Sequence, residues 1–142
     1  MTNTVTGATG FVGRALVELF GFRQDIPNLF AQSNIVTLPS FYGEGLPKVL
    51  VEAAACSRAV ITTDHPGCRD AIEPGVTGLL VPNRDAMALA DAMEDLINNP
   101  AKRKQLSQSG RALAETAFAI EKIVDAHMRI YEGLLKSNEA IK

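Results

Sequence analysis

Three short apolar runs, each stopped by a loop, most constrain what this chain can fold into. They occupy residues 35–38, 59–62 and 78–81, and the first and third end at Pro39 and Pro82. Runs of this length, rich in aliphatic and β-branched residues, predict buried strands. Helical stretches lie between them, the clearest at 48–56, where Pro47 stands at the helix start. Strands alternating with helices over short connections predict a parallel, doubly wound α/β sheet.

After residue 82 the pattern is wholly helical. Asp85 is the predicted N-cap of a helix whose apolar face carries Leu89, Met93, Leu96 and Ile97, and Pro100 ends it. A second helix contains Leu106, Leu113 and Ala117. A third carries a stripe formed by Ile120, Ile123, Val124, His127, Ile130, Tyr131 and Leu134. The predicted fold class is therefore a truncated Rossmann-like α/β domain, a parallel sheet with a helical C-terminus.

The front of the chain admits two interpretations. Phe11, Ala15 and Leu19 have helical spacing, yet residues 17–21 also fit a short strand before Asp25 and Pro27 open a helix. Propensity does not choose between them.

Bulk properties exclude several classes of function. The 142 residues suffice for one domain, and the net charge of -2, with both signs interspersed, gives no nucleic-acid-binding stripe. The apolar runs are far shorter than the ~20 residues of a membrane-spanning helix. No signal peptide is visible, and Cys56 and Cys68 are typical of a reduced protein. We expect a cytoplasmic location, with peripheral membrane attachment as the alternative.

Glu44 and Glu52 flank the start of the predicted helix at 48–56. In a parallel sheet this loop lies at the carboxyl end of a strand, where such folds bind ligands. The helix start offers unpaired N–H groups to a diphosphate, and Gly43 and Gly45 permit close backbone approach. From spacing alone, an N-cap glutamate followed by a solvated helix glutamate is favoured over a binding role for the pair.

The residues around the two glutamates carry a resemblance to a known family. Residues 38–53, LPSFYGEGLPKVLVEA, resemble the signature of group 1 (family 4) retaining glycosyltransferases of the GT-B fold. Residues 21–26 (GFRQDI), 62–70 (TTDHPGCRD) and 77–82 (TGLLVP) are similar to further segments of that family. The resemblance runs from about 17 to 135 and is closest to enzymes that build bacterial surface polysaccharides on a lipid carrier.

The resemblance implies a function and a set of site residues. Glu44 would contact the donor sugar as the catalytic-site carboxylate, and Glu52 would bind the ribose of a nucleotide-sugar, specifically a UDP-sugar. The other expected binding residues line the sugar and phosphate path: Gly43, Gly45, Leu46, Pro47 and Lys48. The family needs no metal or cofactor, and the sequence has no His/Cys/Asp cluster at ligand spacing.

Departures from the family pattern carry further expectations. The acceptor-binding domain, which would take a lipid-linked or saccharide acceptor, and the basic strand-loop that grips the diphosphate have no counterpart. We therefore expect a truncated donor domain that does not transfer sugar alone. We also expect a homo-oligomer, because the stripe of the last helix and a sheet edge would lie open. Residues 10–20, if helical, would instead cover the part of the sheet left open by the missing first strand, and self-association would then be weaker.

The glycine-rich front end supplies an alternative function. Residues 6–13, TGATGFVG, resemble the dinucleotide loop of NAD-dependent nucleotide-sugar epimerases, with Gly7, Gly10 and Gly13 at the loop positions. The preceding strand, Thr4–Val5, is too short, and neither Tyr42 nor Tyr131 has a lysine four residues later. We expect residues 1–16 to be an epimerase-like fusion scar and 17–142 a partial donor domain. The rivals are an NAD-binding module and a ligand-free, self-associating remnant.

Overall fold

Within the residues that the structure describes, the chain forms a four-stranded parallel sheet, and three helices follow the last strand. The computed structural model describes residues 4–5, 25–43 and 45–139. The strands β1 (Thr4–Val5), β2 (Ile35–Leu38), β3 (Ala59–Thr63) and β4 (Leu79–Val81) pair in that order, all parallel. The described helices are α1 (Ile26–Gln32), α2 (Lys48–Ala55), α3 (Pro66–Asp70), α4 (Ala86–Asn98), α5 (Pro100–Ala117) and α6 (Ile120–Glu139). The predicted α/β fold class with a helical C-terminus is confirmed.

Two details of the sheet differ from the sequence-based expectation. Thr4 and Val5, which we expected to be too few for a strand, pair with Val36 and Thr37. The edge of β2 is therefore occupied at these two positions rather than open. The predictions for residues 6–24, including the glycine loop and the choice between helix and strand, fall outside the described residues.

The core consists of two layers, one on each face of the sheet. Successive side chains of a strand point to opposite faces. Val36 and Val60 accordingly pack with Phe30 of α1 and Leu50 of α2. On the other face, the strand residues Ala59, Ile61 and Val81 pack with Leu96 of α4 and Leu106 of α5. Burial on both faces explains why the strands read as continuous apolar runs.

Gly78 is required where the chain enters β4. A Cβ atom at this position would lie 3.0 Å from the carbonyl oxygen of Val60 and 3.1 Å from the side chain of Ile72. The strand predicted from residue 78 begins one residue later, at Leu79, and Gly78 forms an isolated bridge with Pro74.

Helix boundaries follow local capping. Asp85 caps α4 as predicted, its Oδ1 accepting from the N–H of Ala88 at 2.9 Å. The sequence predicts a single helical turn at Arg69–Ile72; the structure places this helix, α3, at Pro66–Asp70, because Pro66 is preset for the first helical position after an extended His65. On α4, Leu96 is fully buried, but Ile97 is 53% exposed, so its predicted core role is wrong.

The last helix, α6, faces solvent. Every described side chain from Ile120 to Lys136 is exposed. The predicted apolar stripe is present, and its large side chains are between 41% and 66% exposed. A helix with such an apolar face normally packs this face against the protein core or another apolar surface.

Candidate functional site

The carboxyl ends of β2, β3 and β4 bring three loops together at one edge of the sheet. The hydroxyl of Thr63, at the end of β3, donates to the carbonyl of Ser40 in the loop after β2. The backbone N–H of Asp64 donates to the carbonyl of Val81 at 2.8 Å. Asn83, after β4, donates through Nδ2 to the carbonyl of Asp64 at 3.1 Å. Hydrogen bonds thus join the loops into one surface.

The start of α2 lies on this surface, and no side chain among the described residues caps it. Pro47 occupies the N-cap position with an extended backbone and no side-chain hydrogen bond to the first turn, and its carbonyl accepts from Leu50. The first N–H groups of a helix have no intrahelical acceptor, and the helix dipole places partial positive charge there. An anion could therefore bind at this end of α2.

The structure places the predicted binding residues around this helix start. Gly43, Gly45, Leu46 and Lys48 are exposed, and Pro47 is buried. A Cβ atom added at Gly43 or Gly45 would have no atom of the described residues within 4 Å, chain neighbours aside. Glu44 lies outside the described residues, and its predicted contact with the donor sugar stays a prediction.

Glu52 lies one turn into α2 and pairs with Lys48. Lys48 Nζ is 3.2 Å from Glu52 Oε1, and the two side chains are 89% and 41% exposed. An exposed pair of this kind contributes little to stability. The carboxylate therefore stays available to accept hydrogen bonds from a ligand, and the ammonium group can turn toward an anion.

The loop after β3 carries a second exposed ion pair and a half-buried histidine. Arg69 Nε donates to Asp64 Oδ1 at 2.7 Å, and this hydrogen bond raises the pKa of Arg69. His65 could face a ligand or serve as a loop residue. Its Nδ1 is buried without a hydrogen-bond partner among the described residues.

An aromatic and arginine cluster is the part of this edge that sequence reasoning missed. The rings of Phe41 and Tyr42 lie 4.3 Å apart between centroids, and both residues are exposed. The guanidinium carbon of Arg84 lies 5.0 Å from the centroid of Phe41. The dipeptide Phe41-Tyr42 was a visible signal, but nothing in the local pattern linked it to Arg84.

Among the described residues, no group of three or more His, Cys, Asp or Glu side chains could hold a metal ion. Nor does any helix within those ranges have the length and apolar character needed to cross a membrane.

Comparisons with known proteins define the class. The family described as glycosyl transferases group 1 matches residues 13–113, which is most of the chain. The chain therefore belongs to the group 1 glycosyl transferases, and its Rossmann-like fold is that of the C-terminal domain of GT-B enzymes.

Individual relatives agree with this assignment. The N,N'-diacetylbacillosaminyl-diphospho-undecaprenol alpha-1,3-N-acetylgalactosaminyltransferase of Campylobacter jejuni is 29% identical over 89% of this chain and 33% of its own length. The capsular polysaccharide biosynthesis glycosyltransferase CapM of Staphylococcus aureus is 31% identical over 87% of this chain and 32% of its own. Among solved structures, Anabaena HepE in complex with UDP has a TM-score of 0.73 and 28% identity, covering 88% of this chain and 35% of HepE.

The matches cover most of this chain but only part of each relative. The chain spans about one third of the length of the curated relatives it matches. The similarity to enzymes of polysaccharide biosynthesis therefore concerns one region of those enzymes, the region described above.

Proposed function

We propose that this chain binds the nucleotide-sugar donor of a retaining glycosyltransferase of surface polysaccharide synthesis, and that the donor is a UDP-sugar. The observation that carries the proposal is the start of α2, which no described side chain caps, beside the accessible carboxylate of Glu52, at the edge where three loops meet. The complexes of HepE with UDP and with UDP-glucose support the choice of nucleotide.

Each part of the donor contacts a different group of the chain. The diphosphate lies at the first turn of α2, where N–H groups and the helix dipole favour negative charge. Lys48, which is 89% exposed, turns from Glu52 toward the phosphates. Glu52 then accepts hydrogen bonds from the ribose hydroxyls. Gly43, Gly45 and Leu46 line the path to the sugar, and Glu44 contacts the sugar itself.

UDP titration followed by backbone NMR tests the site. UDP should shift the amide signals of residues 43–52, and UMP should shift them less because it lacks the second phosphate. E52Q should weaken UDP binding ~10-fold or more, since a hydrogen bond to a charged group is worth ~1.5–3 kcal/mol. The matched control is E94Q, which removes the same charge from an exposed position on α4.

Two results would count against this site. One is a titration in which UDP leaves the amides of residues 43–52 unshifted, and the other is an E52Q protein that binds UDP as well as E94Q does. NAD should leave the spectrum unchanged. A saturable response to NAD would favour the epimerase-like alternative at Gly7, Gly10 and Gly13.

Sugar transfer is expected to need more than this polypeptide. The matched region is about a third of the relatives, and catalysis depends on holding donor and acceptor together. We propose that 17–142 form the donor part, with 1–16 as an epimerase-like leader, and that the isolated chain transfers no sugar. Robust transfer from a radiolabelled UDP-sugar by the purified chain would contradict this.

The exposed apolar face of α6 suits self-association of the chain. Eight large apolar side chains of this helix are exposed, and together they present on the order of 800 Å², about one partner's share of a standard protein interface. We propose that the isolated chain buries this face against a second copy of itself.

A further inference from the structure

Arg84 adopts a backbone conformation that side chains other than glycine rarely take. Its φ is 61°, in the left-handed region, where the Cβ atom of an L-residue crowds the backbone. Its neighbours hold it there: Asn83 donates to the carbonyl of Asp64, and Asp85 caps α4. The conformation is thus fixed on both sides, and the side chain is directed from a rigid turn.

The guanidinium group of Arg84 contacts an aromatic ring rather than a carboxylate. Its central carbon lies 5.0 Å from the centroid of Phe41, within the ~6 Å range of a cation–π interaction. Lys48 and Arg69, the other cations described at this edge, pair with Glu52 and Asp64. Within the described residues, Arg84 has no carboxylate within ion-pair distance.

Phe41 belongs to the loop that leads to the proposed donor site. The carbonyl of Ser40 accepts from Thr63 at the start of this loop, and Pro47 ends it at α2. Between these two points, the guanidinium group of Arg84 reaches this loop from the loop after β4 and contacts Phe41. Phe41 in turn stacks on Tyr42, the residue before Gly43. The contact therefore restrains the segment whose backbone faces the donor.

We propose that Arg84 is a positioning residue, which orders the loop at 41–47 through Phe41 and thereby raises affinity for a nucleoside diphosphate. The loop restraint stands on the geometry alone, whereas the effect on affinity rests on the proposed function. A loop held in its binding conformation before the ligand arrives loses less conformational entropy on binding.

The restraint is tested first in the ligand-free chain. Backbone ¹⁵N order parameters of Gly43, Gly45 and Leu46 should be near the rigid value of ~0.85 in the wild type and fall toward ~0.6 in R84A and F41A. R84K, which keeps the cation, should preserve order, and F41L, which keeps the volume without the aromatic face, should not. Alanine keeps the left-handed strain, so R84A isolates the side chain. Unchanged order in R84A would overturn the proposal.

A double-mutant cycle with UDP tests how Arg84 acts. R84A alone should weaken UDP binding about 3-fold, the size expected of an exposed cation–π contact. In the F41A background, R84A should have no further effect, because its contact is already gone. A full effect in that background would overturn the positioning role in favour of a direct phosphate contact. If the wild type binds no UDP, the proposed function fails, and the order parameters still decide the loop restraint.

Discussion

Ser57 occupies the turn between α2 and β3 with φ of 54°, the left-handed region that glycine adopts without strain. We predict that S57G raises the free energy of unfolding by about 0.5–1 kcal/mol, because the relief of strain exceeds the added entropy of the unfolded chain. The melting temperature should rise about 2–5 °C. S57A retains the strain and should give no comparable gain; if it stabilised the protein equally, backbone strain would not be the cause.

Single residues were predictable where their role is local. Asp85 was recognised as an N-cap because a cap acts within four residues. Ile97 was misassigned because the spacing that placed it beside Leu96 does not reveal how far the sheet extends under α4. The contact between Arg84 and Phe41 joins two loops distant in sequence. No periodic pattern encodes it, so only the folded chain shows that part of the candidate site.

At the scale of elements, Leu96 and Ile97 are a suitable pair for measuring how much the packing of α4 contributes to the free energy of unfolding. Leu96 is fully buried against β3, whereas Ile97 is 53% exposed. L96A should lower the free energy of unfolding by about 2–5 kcal/mol, because it removes transfer energy and leaves a cavity. I97A should change it by less than about 0.5 kcal/mol. Urea denaturation measures both, and similar losses for the two variants would mean that α4 packs differently.

Elements were predicted best where an apolar pattern was bounded by a helix- or strand-breaking residue. β2 ends before Pro39 and α2 begins after Pro47, and both elements matched the structure within a residue. β1 was missed because two residues carry no pattern of their own, and their pairing depends on β2. α3 was misplaced because the sequence around Pro66 and Gly67 reads as a loop, while the helix is set by Pro66. Tertiary context decides short elements.

At the scale of the whole molecule, topology followed from the order of elements. Parallel strands joined by helices place all their carboxyl ends at one edge, so the location of the candidate site was predictable from sequence. The structure confirms that the loops after β2, β3 and β4 meet there. The pattern could not predict which surface packs against α6, because an apolar stripe indicates that a helix face is buried but not what buries it.

Self-association is the prediction that belongs to this scale. All described side chains from Ile120 to Lys136 are exposed, whereas most of the stability of a helix in a protein comes from packing of its amphipathic face. Pairing two copies through α6 would remove its apolar face from solvent and stabilise the helix itself. We expect the chain to be dimeric by light scattering at micromolar concentration and to dissociate on dilution.

Neighbouring substitutions on opposite faces of α6 separate the stripe from the helix as a whole. Ile130 lies on the stripe and is 58% exposed, whereas Arg129 is turned away from it by the helical spacing. I130D should give a monomer, because a carboxylate would be buried in the interface without a partner. R129D should leave the dimer intact. A wild-type chain that stays monomeric at high micromolar concentration would contradict self-association and favour the alternative in which residues 10–20, which lie outside the described residues, cover part of the apolar surface.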